Sequence, residues 1–378
     1  MKIITESLSH SSRYNKNPSH KSRNVQGLTS KDQRRWNLLI CGPIQHEGLV
    51  LSQHVKGGLL CKQEFDCTNT ILRNINDWGH LFDEVKLVTW TNQAGLISDE
   101  LKRQNIDIHL LDDPGNSSSF SGDNRIRVMT ATAAGLRQMK RKDSCTLRIR
   151  SDQSFSLECM IKSHQKAAKL IQSQHERLAL NLPHISALCF WLDRPYAVCN
   201  YAHAATTSDL LQFAEAQITY RHASALATNG WPEGDAIRKH LYSLRQELRK
   251  AGFSPNECFP ALPKSLTESQ EANRLHHVPK SILRLWEFAL KNIYSVSHKK
   301  AIKSLYWKDE KYPLPEIFNN GMCFYKKWKK IGLEGSETIY NYCPNTFDAT
   351  SKISDPIDHN YWLMKERTKL LEDARNEL

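Results

Sequence analysis

Between residues 36 and 155, short apolar runs alternate with stretches whose apolar positions step by three and four, the periods of strand and helix. Residues 36–40 form a compact apolar strand that ends in Cys41-Gly42-Pro43-Ile44. In residues 68–78, Ile71, Leu72 and Ile75 fall at helical spacing, with Thr68 or Asn69 available as a cap. Strands are predicted at 84–90 and 106–111, the second closed by Asp112-Asp113-Pro114-Gly115, where proline followed by glycine suits a type II turn. A polar loop over 116–122 leads to a helix at about 123–140, striped by Ile126, Met129, Ala133, Leu136 and Met139, with Asn124 and Arg127 sharing a face near its start. Residues 144–155 then read as a half-buried strand: Thr146, Arg148 and Arg150 alternate with Cys145, Leu147 and Ile149. The order β-α-β-β-α-β predicts an α/β fold with a mostly parallel sheet and helices on its faces.

Further on, a helix is expected over 157–179, followed by an apolar patch at 185–192. Two helix starts follow, one in which Asp209 caps with Gln212 three residues on, and one at Trp231-Pro232-Glu233 with proline and acids in the first turn. The last third reads as helical and loop-rich, its clearest stripe being Ile282, Leu285, Trp286, Ala289, Leu290 and Ile293, and Asp355-Pro356 opens a charged terminal helix. Residues 1–33, with almost nothing to bury, predict a disordered basic tail. The expected division is therefore this tail, a core domain over 34–245, and a C-terminal region over 246–378 packed on the core.

Composition changes the picture in three respects. The longest apolar run is about eight residues, far short of the roughly 20 that a spanning helix needs, and the N-terminus holds no apolar stretch of secretory length. The ten cysteines show no Cys-x-x-Cys spacing, so they read as reduced thiols of a cytoplasmic protein. The net charge of +12 is local: residues 1–35 carry eight Lys/Arg against two acids, and residues 298–330 carry nine against three. Clusters of this kind suit an anionic membrane surface or nucleic acid, or are simply solvated lysines. Tyr and Trp lie among the lysines of 306–328, as single-strand nucleic-acid binding would require, but the basic residues avoid the β-α-β core and no nucleic-acid module is recognisable.

The candidate chemistry gathers at strand ends. Arg150 and Asp152, two residues apart at the end of the fourth strand, point to the same side of an extended chain. They could grip a metal-bound diphosphate or a sugar hydroxyl, or close the strand as an ion pair. Gly42 permits close approach of a ligand to the first strand, although Gly-Pro is equally a plain turn.

In order and spacing, these pieces resemble the WavE lipopolysaccharide synthesis family, whose members are similar to GT-A-type glycosyltransferases. The resemblance runs through Gly42-Pro43, Thr89-Trp90, Asp113-Pro114-Gly115, Asn124-x-x-Arg127 with Gly135-Leu136, Arg148-Ile149-Arg150-Ser151-Asp152, Ser208-Asp209 and Pro232-Glu233. It implies a GT-A-like fold, a nucleotide-diphosphate sugar donor and a lipopolysaccharide or other surface-glycan acceptor. It further implies donor contacts from Gly42, Asp113, Asn124, Arg127 and Arg150, a metal or ribose contact from Asp152, and a general base in Glu233 or Asp209. A divalent cation, Mn or Mg, is the expected companion of the diphosphate, but the usual Asp-x-Asp is here Arg150-Ser151-Asp152, with one acid in place of two. A basic nucleic-acid-binding protein, or a transferase fold without activity, is the alternative.

Overall fold

The computed structural model describes residues 36–51, 60–115, 125–191, 198, 201–219, 232–254, 280–307, 310–311, 322–323, 326 and 328–329. The expected tail and terminal helix lie outside them. Seven strands build one sheet: β1 Trp36–Cys41, β2 Glu84–Trp90, β3 Asp107–Leu111, β4 Cys145–Arg150, β5 Ile185–Ala187, β6 Ala202–Thr206 and β7 Tyr294–Val296. Their order across the sheet is β3-β2-β1-β4-β6-β5-β7, and only β6 runs against the rest. The α/β class expected from the sequence, a mostly parallel sheet flanked by helices with further helix toward the C-terminus, is borne out.

The central strand shows why. All six residues of β1 are buried, as a parallel strand covered on both faces requires. On one face Leu39, Cys41 and Val88 pack under α2 (Arg125–Arg137) and α4 (Thr207–Thr219) through Met129, Ala133, Leu136, Leu210 and Phe213. On the other, Leu38, Ile40, Leu87, Leu147 and Ile149 meet α1 (Thr68–Trp78) and α3 (Leu157–Leu178) through Ile71, Leu72, Met160 and Ile161. Two further helices, α5 (Pro232–Ser243) and α6 (Lys280–Asn292), join the first of these cores through Ile237, Leu241, Leu285 and Trp286.

Several expectations are corrected. The fourth strand is not half-buried: β4 is buried on both faces apart from Arg150, and Arg148 is fully enclosed, because helices cover the face that carries it. A hairpin, Gln45–Leu51 with Leu60–Asp66, stands between β1 and α1 where no strands were read. Neither Thr68 nor Asn69 caps α1; the backbone N–H of Thr68 donates to the Asp66 carboxylate at 2.9 Å. Asp209 does not cap α4 either. Its own N–H donates to Thr206 Oγ1 at 3.1 Å, so Thr206 caps and Asp209 lies in the first turn. The alanines of 202–205 form the antiparallel strand, and residues 294–296 of the helical C-terminal region supply the edge strand β7.

Candidate functional site at the sheet switch point

From β1 the chain builds outward through β2 to β3, then returns to lay β4 on the other side of β1. The β1/β4 boundary is therefore the topological switch point, and the crevice beyond the carboxyl ends of those strands is where an open α/β sheet takes its ligand. Gly42 and the residues 150–152 are the tips of these two strands.

The tips are tightly fitted. Gly42 has φ 142°, a conformation that side chains rarely adopt, and a Cβ added there would lie 2.3 Å from Ser151 Oγ. Its N–H donates to Val88 O at 3.1 Å, while Ser151 N–H donates to Cys41 O at 3.0 Å and Ser151 Oγ–H to Pro43 O at 2.9 Å. The turn after β1 is thus pressed against β4, and Ser151 fills the space that a side chain at Gly42 would need.

Beside it, Arg150 Nε and Nη2 donate to the two oxygens of Asp152 at 2.9 and 2.7 Å. The pair is asymmetric: the Asp152 side chain is 3% exposed and that of Arg150 is 31% exposed. Burial opposes the Arg150 charge, but Asp152 outweighs it and the guanidinium pKa is raised. His46, from the hairpin, brings Nε2 within 3.9 Å of Asp152 Oδ2. Cys67, just ahead of α1, is pushed up to about 12 by burial and then by the Asp152 charge, so its thiol stays protonated. Under β4, burial lowers the pKa of Arg148, which sits beside the Cys41 thiol.

A second fork stands at the end of β3. Arg127 Nε and Nη2 donate to Asp113 Oδ1 and Oδ2 at 2.6 and 2.7 Å, and Asp113 Oδ1 also accepts the N–H of Gly115, whose φ of 75° completes the predicted Pro-Gly turn. The Arg127 hydrogen bonds, first among the causes, hold the Asp113 carboxyl below its usual range. Helix α2 is laid over the central strands by Gly135, where a Cβ would come 2.4 Å from Leu39 Cδ1 and 2.8 Å from Val88 Cγ2. Nearer its start, Thr132 Oγ1 lies 3.9 Å from Cys41 Sγ. The first turn, with Arg127, therefore overshoots β1 toward the crevice and directs the positive end of the helix there.

The two candidate bases part company. Asp209 follows β6, and because β6 is antiparallel, Thr206 pairs with Cys145 at the start of β4, not its end. Asp209 accordingly belongs to the opposite sheet edge, one strand length of roughly 17 Å from Arg150, and its Oδ2 accepts the His184 N–H at 3.5 Å. Glu233 occupies the second position of α5. That helix runs toward the edge where the parallel strands start: His240 in its last turn is bonded to Tyr294 at the head of β7, and Glu247 beyond it accepts the N–H of Asn181, shortly before β5. Its first turn is thus offset toward the crevice edge. Asn124 lies outside the described residues.

The donor set does not suit a divalent cation, which takes several oxygens, carboxylates prominent among them. Both oxygens of Asp152 are engaged by Arg150, and among the described residues no group of three or more His, Cys, Asp or Glu side chains could hold a metal ion. Sequence reasoning missed His46 because the hairpin that carries it went unread: Gln45–Leu51 runs from polar to apolar without alternating, so it gives no strand period.

No family model matches the chain, and no curated protein matches it. Solved structures are similar to about half of the chain at low identity. The 4-diphosphocytidyl-2C-methyl-D-erythritol synthase from Anaerococcus prevotii is similar at 14% identity over 50% of this chain and 77% of its own, with a TM-score of 0.28. Mannose-6-phosphate isomerase from Helicobacter pylori is similar at 12% identity over 50% and 78%, TM-score 0.26. HddC from Yersinia pseudotuberculosis, complexed with GMP-PN, is similar at 10% identity over 47% and 79%, TM-score 0.25.

Proposed function

We propose that the chain is a glycosyltransferase that moves a sugar from a nucleotide-diphosphate donor to a lipopolysaccharide or other surface-glycan acceptor, as the resemblance to the WavE family implies. The observations that support the reading are the tightly fitted turn at Gly42 and the part-exposed guanidinium of Arg150 at the switch point, together with the start of α2, whose Arg127 is held by Asp113 beyond β3. Each supplies something that transfer from a diphosphate needs. The nucleotide lies against the backbone at Gly42, and Arg150 and Arg127 take the diphosphate, with Asp113 fixing the Arg127 fork. Asn124 hydrogen-bonds the donor.

In a direct displacement the acceptor oxygen bonds the anomeric carbon as the bond from that carbon to the diphosphate oxygen breaks. The hydroxyl proton passes to the Glu233 carboxylate, and the charge that develops on the diphosphate meets the arginines. Residues 34–245 hold this chemistry in our reading, and residues 246–378 pack on it. The acceptor is presented at a membrane surface, to which exposed Lys299, Lys300 and Lys303 dock the enzyme. Among the described residues no helix is long and apolar enough to cross a membrane.

The test is a thermal-shift screen with nucleoside diphosphates. A ligand at about 100 times its Kd adds about 2.7 kcal/mol to the folded state and raises Tm by several degrees. One nucleotide of the set should do so, and Arg150→Ala should abolish the shift. If no nucleoside diphosphate shifts Tm, the reading is wrong.

A further inference from the structure

The sheet places an arginine where a metal-dependent site would offer a second carboxylate, and the surrounding geometry goes with the arginine. Asp152 is the buried partner and Arg150 the part-exposed one, so of the two charges the cation is the more accessible at this tip. The carboxylate spends both oxygens on Nε and Nη2, which fixes the plane of the guanidinium and leaves its remaining N–H groups for a ligand. The hairpin closes the other side of Asp152 with His46 at 3.9 Å, and Cys67 in this neighbourhood stays a neutral thiol. At the end of β3 the same device recurs: both Asp113 oxygens are held by Arg127. Two carboxylates are thus used to aim two guanidinium groups, and neither retains an oxygen without a guanidinium N–H.

We propose, resting on the nucleotide-sugar reading above, that the diphosphate is bound by the guanidinium of Arg150 in the role a divalent cation would have, so that donor binding does not require metal, and that Asp152 is a positioning residue for Arg150. A planar fork matches two phosphate oxygens at once, and Asp152 sets its orientation in advance. The proposal separates Asp152 from the metal contact implied by the family resemblance: its carboxylate acts through another side chain.

The experiment is calorimetric titration of UDP, GDP, CDP and ADP into the full chain, first in EDTA and then with manganese. The nucleotide that binds should do so with an affinity that differs less than about threefold between the two conditions. Loss of binding in EDTA with recovery in manganese overturns the proposal while leaving the nucleotide reading intact; no binding in either condition overturns both. Asp152→Asn should weaken binding on the order of tenfold, the worth of one charge-assisted hydrogen bond, with Asp152→Glu recovering part of it. Arg150→Asp, which restores two acids around Ser151, should make whatever binding remains dependent on manganese, a change that a merely structural role for Arg150 would not produce.

Discussion

At the scale of single residues the switch point depends on one hydrogen atom, the side chain of Gly42. Gly42→Ala would place a methyl group 2.3 Å from Ser151 Oγ on a backbone at φ 142°. We expect a loss of about 2 kcal/mol of stability in urea unfolding, only partly recovered in Gly42→Ala/Ser151→Gly, because the clash is relieved and the strain is not. His240 offers a second test, through pH. Burial pushes its imidazole from near 6.5 down to about 3; Nδ1 is 2.5 Å from the Tyr294 hydroxyl, and Nε2 has no hydrogen-bond partner among the described residues. The folded chain keeps the ring neutral while the unfolded chain takes a proton near pH 6.5. This contribution is therefore intact above pH 6.5 and shrinks as pH falls toward 3. Between pH 7 and pH 5 the native chain should lose about 2 kcal/mol more than His240→Gln. Gly42 and the Arg150, Asp152 spacing were legible in sequence because turn and strand geometry are local. The burial of Arg148 was not, since it depends on helices that arrive from elsewhere in the chain.

At the scale of elements, long periodic segments declared themselves: Thr68–Trp78 and Glu84–Trp90 have the predicted bounds. Segments of weak intrinsic preference did not. The run Ala202-His203-Ala204-Ala205 has no strand propensity to show, and it is a strand because β4 and β5 present open ladders on either side. The direction of β6 also decides which sheet edge the helix after it begins from, and it sets Asp209 at the edge opposite Arg150. The seat of α2 gives a test at this scale. Alanine favours a helix over glycine by about 1 kcal/mol, yet Gly135→Ala should destabilise the chain by about 1–2 kcal/mol in chemical denaturation, because Leu39 and stiff, fully buried Val88 must both yield. Leu39→Val in the same chain should recover part of the loss.

At the scale of the whole molecule, the local concentration of charge was legible from counting, while its grouping in space was not. Lys299, Lys300 and Lys303 are exposed on one short helix, and Lys326 and Lys329 are exposed as well. The His298 pKa is lowered first by burial and then by Lys166, Lys300 and Lys326, so lysines from three separate stretches of sequence surround one imidazole. Vesicles rich in phosphatidylserine should bind the full chain and release it as salt rises. Replacing Lys299, Lys300 and Lys303 with Gln should weaken that binding on the order of a hundredfold, at about 1 kcal/mol per charge; unchanged binding would remove the membrane from the proposal.

The edge strand β7 bears on how such a protein is made. Ser186 in β5 and Ser295 in β7 share a hydrogen bond of 2.6 Å across 109 residues of chain. During translation β5 leaves the ribosome with one flank open and waits through all of that synthesis, with Phe190 lacking the Trp286 and Tyr294 rings that later close over it. A chain stopped at residue 245 would remain in that waiting state, sticky at an unpaired edge, and should be recovered mainly as aggregate rather than as a smaller folded protein.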